Sequence, residues 1–276
     1  MATILEKRYI AAKRALFDKV YSSLNEKQRE AVFTVNTPLL ILAGAGSGKT
    51  TVLARRIAYI IKYGNAYSSE RVPYGITEEK VKEMEDAINL SREEIEEILL
   101  EFIEDPCPPY RVLAITFTIK AAREIKTRLA DQLGDEMIAR DIWSGTFHSI
   151  CMRILRVYGE RIGYGKEFTI YDTDDVKKTI TAVMKKCGVD DKQFPIKSVI
   201  NAISRAKDEL KTPEDLAAEA GADFRVSKIA KIYAAYRDEL KSSNAMDFDD
   251  IIMQTVHLLL TCPDVLEYYQ RKFKYV

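Results

Sequence analysis

Ala43-Gly44-Ala45-Gly46-Ser47-Gly48-Lys49-Thr50 is the stretch that decides the fold. An apolar run, Leu39-Leu40-Ile41-Leu42, precedes it, and a helical pattern, Val52-Leu53-Ala54-Arg55-Arg56-Ile57, follows. Strand, glycine-rich loop, Lys-Thr and helix is the layout of a phosphate-binding loop. Glycines let successive backbone N–H groups turn inward around an anion. The helix start adds its positive dipole end. The residues expected to hold a nucleotide are Gly44, Ala45, Gly46, Ser47, Gly48, Lys49 and Thr50. Lys49 neutralises the outer phosphates and Thr50 offers a hydroxyl to a phosphate-bound Mg²⁺. The consensus G-x-x-x-x-G-K-[ST] places a glycine where this chain has Ala43. The bland alternative is a glycine-rich turn that binds nothing.

Outward from the loop, strand and helix patterns alternate. Pro38 to Leu42 reads as a first, buried strand, and Arg111 to Thr116 as a second. Asp141 to Thr146 reads as a third. Helices are expected from Thr50 to about Tyr63, from Lys120 to Leu133, and from Phe147 to about Gly159. After Gly165 strand signals stop, and residues 172 to 241 show helical periods broken near Gly188, Pro195, Pro213 and Gly221. Further helices follow from Asp247 and from Pro263, and Phe273 to Val276 has strand composition. The pattern argues an α/β fold with a parallel sheet and an inserted α-helical subdomain.

Composition narrows the class. The chain has 276 residues, 47% hydrophobic and 30% charged, which is enough for two domains. Lys+Arg and Asp+Glu are equal at 42 each, but the charges are segregated. Asn65 to Asp105 holds 13 acidic and 4 basic residues, a net of −9 that leaves +9 on the rest. This segment reads as an acidic surface insertion, with helix starts at Thr77 and at Ser91–Glu94. A basic body favours polyanions. Cys107, Cys151, Cys187 and Cys262 form no C-x-x-C pair, and only two histidines are present, which argues against zinc and against a disulfide framework. No apolar run is long enough to span a membrane, so a reducing, cytoplasmic setting is expected.

Four further motifs lie in order around the loop: Leu24-Asn25-Glu26-Lys27-Gln28, Thr116-Phe117-Thr118-Ile119-Lys120-Ala121-Ala122, Gly145-Thr146-Phe147-His148-Ser149 and Met246-Asp247-Phe248-Asp249-Asp250. With GAGSGKT they make the chain resemble the UvrD/PcrA/Rep group of superfamily 1 DNA helicases, everywhere except residues 65 to 105. The resemblance implies a RecA-like ATP-binding domain from residues 1–150 and 244–276, with residues 151–243 as the inserted helical subdomain. It implies ATP and Mg²⁺ as cofactors, single-stranded or partial-duplex DNA as partner, and 3′-to-5′ movement in repair or replication. The chain is then expected to stop before the Walker B carboxylates, with the remaining helicase domains absent, so that it turns over no ATP alone. Other readings are the helicase subunit of a helicase–nuclease recombination complex, or a non-catalytic nucleotide- and DNA-binding module. A small-molecule kinase would leave TFTIKAA and GTFHS unexplained.

The resemblance also gives roles. Gln28 would read adenine, since an amide both donates and accepts. Asn25-x-x-Gln28 is equally a helix-capping pattern, and both roles are compatible. Phe117 and Phe147 would stack DNA bases. Thr116, Thr118, Lys120, Thr146, His148 and Ser149 would contact phosphate or sugar. Taken alone, either phenylalanine would be core. The family usually has Asn where this chain has Ile119. Arg153, Arg156, Arg161 and Lys207 are candidates for tracking the phosphate backbone. Asp247 reads as a helix N-cap rather than as a metal ligand.

Overall fold

In the computed structural model, residues 3–44 and 46–276 are described. The chain divides into two units, one of residues 1–144 and 272–276, the other of residues 145–271. In chain order the helices and strands of the first unit are α1 (Ile4–Val20), α2 (Glu26–Phe33), α3 (Lys49–Lys62), α4 (Glu78–Asp86), α5 (Arg92–Leu99), β1 (Leu113–Thr116), α6 (Ile119–Leu133), α7 (Glu136–Asp141) and the start of β2 (Trp143–Thr146). Those that follow are α8 (Phe147–Tyr158), β3 (Thr169–Ile170), α9 (Thr173–Lys186), α10 (Ile196–Asp208), α11 (Pro213–Ala220), α12 (Phe224–Ser242), β4 (Ala245–Met246), α13 (Phe248–Thr261) and α14 (Pro263–Lys272). No helix among the described residues is long and apolar enough to cross a membrane.

In the first unit β1 lies between two neighbours. Trp143 N–H donates to the Val112 carbonyl at 3.1 Å, and Leu113 N–H donates to the Tyr275 carbonyl at 2.9 Å. Tyr275 and Val112 form a parallel bridge, so the strand composition of residues 273–276 finds a sheet edge. The expected first strand does not form. The described residues make two two-stranded sheets, and neither includes residues 38–42. Leu40 is 80% exposed and Leu42 86%. An apolar run becomes a buried parallel strand only where neighbours cover both its edges and its faces. Composition alone supplies neither.

The acidic segment packs into the core of the first unit. Its charges face solvent, while Val81, Ile95 and Leu99 are fully buried in the core of this unit. Helical spacing separates the two sets, giving α4 and α5 one apolar stripe each. Both helices pack on α1. Arg8 of α1 pairs with Glu78 and with Glu85, the latter at 2.8 Å. Lys13 is buried and donates to the Ser69 carbonyl at 2.5 Å; burial pushes its ammonium down to about 8. An edge-to-face cluster of Phe17 with Phe33, Tyr59, Tyr63 and Tyr67 joins α1 to the segment's first turn.

The segment's two ends meet. Asn65 N–H donates to the Glu104 carbonyl at 2.7 Å, and Glu104 N–H donates to the Tyr63 carbonyl at 3.1 Å. Gly64 holds φ +63° there, and a Cβ would overlap the Glu104 carbonyl oxygen. Left-handed backbone and a backbone clash add, so Gly64→Ala is expected to cost about 3 kcal/mol or more of stability in denaturant unfolding. A loss below about 1 kcal/mol would mean that the two ends part easily.

The second unit is mainly helical. Ile180, Val199, Ile203, Ile232, Tyr236 and Leu240 form its centre, contributed by α9, α10 and α12. α8 packs on α13, and α11 on α12. Two strands were not expected. β3 and β4 pair in parallel, Thr169 with Ala245 and Ile170 with Met246. Two residues are too few to show a period of two, so nothing in the sequence marks them.

Candidate nucleotide and nucleic-acid sites

The loop before α3 is built by two left-handed glycines, Gly46 at φ +75° and Gly48 at φ +81°. Gly48 is the N-cap of α3, and no side chain caps that helix. Its first N–H groups therefore suit an anion. Lys49 Nζ curls back and donates to the Ala43 and Gly44 carbonyls at 2.8 and 2.6 Å. Ser47 Oγ donates to the Gly44 carbonyl at 2.8 Å. Thr50 lies half-buried in the first turn of α3. A left-handed glycine cradle, an uncapped helix start, an ammonium and a helix-start hydroxyl are the donors a nucleotide phosphate with bound Mg²⁺ needs. Ala45 lies outside the described residues.

Gln28 reaches this loop. Its Nε2 donates to the Ser47 carbonyl at 3.1 Å, and a Cβ on Gly48 would lie 3.3 Å from the same nitrogen. It also caps α2: Asn25 N–H donates to Gln28 Oε1 at 3.1 Å, and Gln28 N–H donates to Asn25 Oδ1 at 3.0 Å. The capping reading is therefore correct. One N–H and one lone pair of the amide remain for a further partner.

On the same unit β1 ends at Thr116 and α6 begins at Ile119. Thr118 caps α6, its Oγ1 accepting from Ala121 N–H at 3.2 Å, and Thr116 Oγ1 donates to the Thr118 carbonyl at 3.0 Å. These two hydroxyls shape the turn. Phe117, between them, is 90% exposed, and Lys120 is exposed on the first turn of α6. A core phenylalanine would be covered.

In the second unit Thr146 caps α8, accepting from Ser149 N–H at 3.2 Å, and Ser149 Oγ donates to the Thr146 carbonyl at 2.9 Å. Phe147 is 41% exposed. His148 stacks on Phe248 of α13, centroids 3.7 Å apart and planes 18° from parallel. Burial lowers the His148 pKa, and Asp249 opposes that shift.

The basic candidates fare unequally. Lys207 is 3% exposed, so it cannot track a phosphate backbone. Its Nζ lies 2.6 Å from Asp247 Oδ2 and 2.7 Å from Asp250 Oδ1. Tyr236 Oη donates to Asp247 Oδ2 at 2.9 Å. The MDFDD segment is thus a helix start with a capping box, Asp247 to Asp250, closed over a buried lysine. A lysine at helical spacing carries no mark of burial, so the sequence pattern pointed outward. Arg161 forms a two-bond pair with Asp264 at 2.9 and 3.0 Å. Arg156 lies over the Phe168 ring at 3.9 Å. Arg153 is exposed on α8.

Known proteins resemble this chain in sequence. The family described as the UvrD/REP helicase N-terminal domain matches residues 24–102 and 95–276. The chain is 42% identical to the ATP-dependent DNA helicase PcrA of Staphylococcus epidermidis over 254 residues, 92% of this chain and 29% of that protein. Against the PcrA of Staphylococcus aureus it is 42% identical over 253 residues, with the same coverage of each. It thus spans under a third of the length of these relatives. With the family matching every residue from Leu24 onward, the chain belongs to the UvrD/REP helicases, in the part that forms their N-terminal domain.

Proposed function

We propose that this chain is the nucleotide- and DNA-contacting N-terminal part of an ATP-driven helicase. It moves 3′ to 5′ on single-stranded DNA in repair or replication. Residues 1–150 and 244–276 belong to a RecA-like ATP-binding domain with Mg²⁺, and residues 151–243 to its helical insert. Lys49 and the N–H groups at the start of α3 hold the phosphates, Thr50 faces their Mg²⁺, and Gln28 takes the adenine edge. Phe117 and Phe147 stack bases. Thr116, Thr118, Lys120, Thr146, His148 and Ser149 line the backbone path. What carries this reading is Phe117, 90% exposed on the unit that holds the phosphate loop. Solvent exposure of a large aromatic ring has a cost that base stacking removes.

The test is DNA affinity measured with and without a non-hydrolysable ATP analogue in the full-length gene product. A motor couples the two ligands; a bare binding module holds DNA with no response to nucleotide. Phe117→Ala is expected to weaken oligothymidylate binding by about 1–3 kcal/mol, roughly five- to 150-fold, with nucleotide affinity unchanged. Unchanged DNA affinity would remove Phe117 from the path.

A further inference from the structure

One polar side-chain link joins the helix of the phosphate loop to the helix that starts beside Phe117. Arg128 Nη1 of α6 donates to Thr51 Oγ1 of α3 at 2.7 Å. The guanidinium is itself held from the other side, with Nε 3.0 Å and Nη2 2.9 Å from Glu124 Oε1. Thr51 follows Lys49 and Thr50 directly, in the first turn of α3. Thr51 and Arg128 are both half-buried, which shields the bond in part from water. A donor that carries charge makes the stronger kind of hydrogen bond, and its planar fork fixes direction.

Apolar packing already attaches α6: Ile125 and Leu129 are buried, Leu129 completely. The Arg128 bond adds direction to that attachment. It fixes where the start of α3 stands relative to the body of α6. A rigid helix carries a displacement at Thr118 along its length to Arg128, and Arg128 meets the chain one residue from Thr50.

We propose that Arg128, braced by Glu124 and bonded to Thr51, is a positioning residue that links DNA occupancy beside Phe117 to the geometry of the phosphate loop. The proposal rests on the two sites assigned under Proposed function. It makes Arg128 neither a DNA ligand nor a nucleotide ligand. A contact of this kind acts through a coupling free energy between the sites, which is reciprocal.

Thr51→Val tests it most cleanly in the full-length gene product, because valine keeps the shape and removes the acceptor. Arg128→Lys keeps the charge and loses the fork. The readouts are fluorescent ADP affinity without DNA, oligothymidylate affinity without nucleotide, and each affinity in the presence of the other ligand. Thr51→Val is expected to leave the two separate affinities and the melting temperature unchanged, while the mutual effect falls about fivefold or more. Arg128→Lys is expected to retain part of that effect. If Thr51→Val keeps the wild-type mutual effect, or loses ADP affinity in the absence of DNA, the link serves only local structure and the proposal is wrong. A wild-type protein in which ADP and oligothymidylate ignore each other would overturn the motor reading, and this inference with it. A coupled wild type with an equally coupled variant overturns this inference alone.

Discussion

Lys49→Ala is expected to lower DNA-stimulated ATP turnover of the full-length gene product by at least about a hundredfold, the loss usual for one charge-stabilising donor. Lys49 Nζ already points into its own loop, 2.6 Å from the Gly44 carbonyl. A phosphate entering that loop replaces two neutral carbonyls with charged oxygens, and the charged bond is the stronger. The gain grows as charge develops on the transferred group. Alanine keeps the helix start, since it is the best helix former. Lys49 is exposed, so stability should be untouched. Turnover within about tenfold of wild type would mean that another cation carries the phosphates. An equal loss of melting temperature would mean that the loop, rather than its charge, had been damaged.

Lys207→Met is expected to destabilise the 276-residue chain by about 3–5 kcal/mol near neutral pH, read from denaturant unfolding. Methionine fills a similar volume, so the loss is electrostatic. Two carboxylates, Asp247 and Asp250, share one ammonium inside the second unit. Burial pushes Asp250 up to about 6. The Lys207 ammonium and the Tyr236 hydroxyl hold Asp247 below its ordinary value against its own burial. The two groups act in opposite senses on the native chain. Asp250 contributes stability at low pH that is lost as pH rises through about 6, and Asp247 contributes stability at higher pH that is lost on acidification. Removing the ammonium raises both carboxyls, so the folded state then binds more protons than the unfolded one. The deficit of Lys207→Met should therefore shrink as pH falls from about 7 to about 5. A deficit independent of pH would contradict this account.

Local signals in the sequence were legible. Asn25–Gln28, Ser91–Glu94 and Asp247–Asp250 each start a helix with a reciprocal cap, because capping is written within four residues. Left-handed turns at Gly46 and Gly48 fall where the loop pattern puts glycine. Placement that depends on distant chain was not legible. Leu39 to Leu42 have strand composition, but neighbours across a sheet decide pairing and burial. Lys207 has the spacing of a surface lysine, and only the fold brings Asp247 and Asp250 to it. Net charge places the acidic segment at the surface but says nothing of how it packs. Charge counts the side chains that face water, whereas Val81 and Leu99 determine where the helices rest. For the candidate sites, motif order supplied the residue types. The fold adds which hydroxyls are engaged in capping, and that Phe117 stands in solvent.

The joined ends of the acidic segment separate two properties that usually go together. Because Gly64 and Glu104 bridge in parallel, the path between α3 and β1 is already complete without the residues between them. Geometrically, the segment is a side excursion from a short-circuited connection, and lengthening or shortening it strains nothing on the route to Phe117. Energetically it is the reverse. α1 rests on it through Tyr9 against Phe102 and through Arg8 against Glu85. The excursion is optional to the wiring of the chain but required as the seat of its first helix.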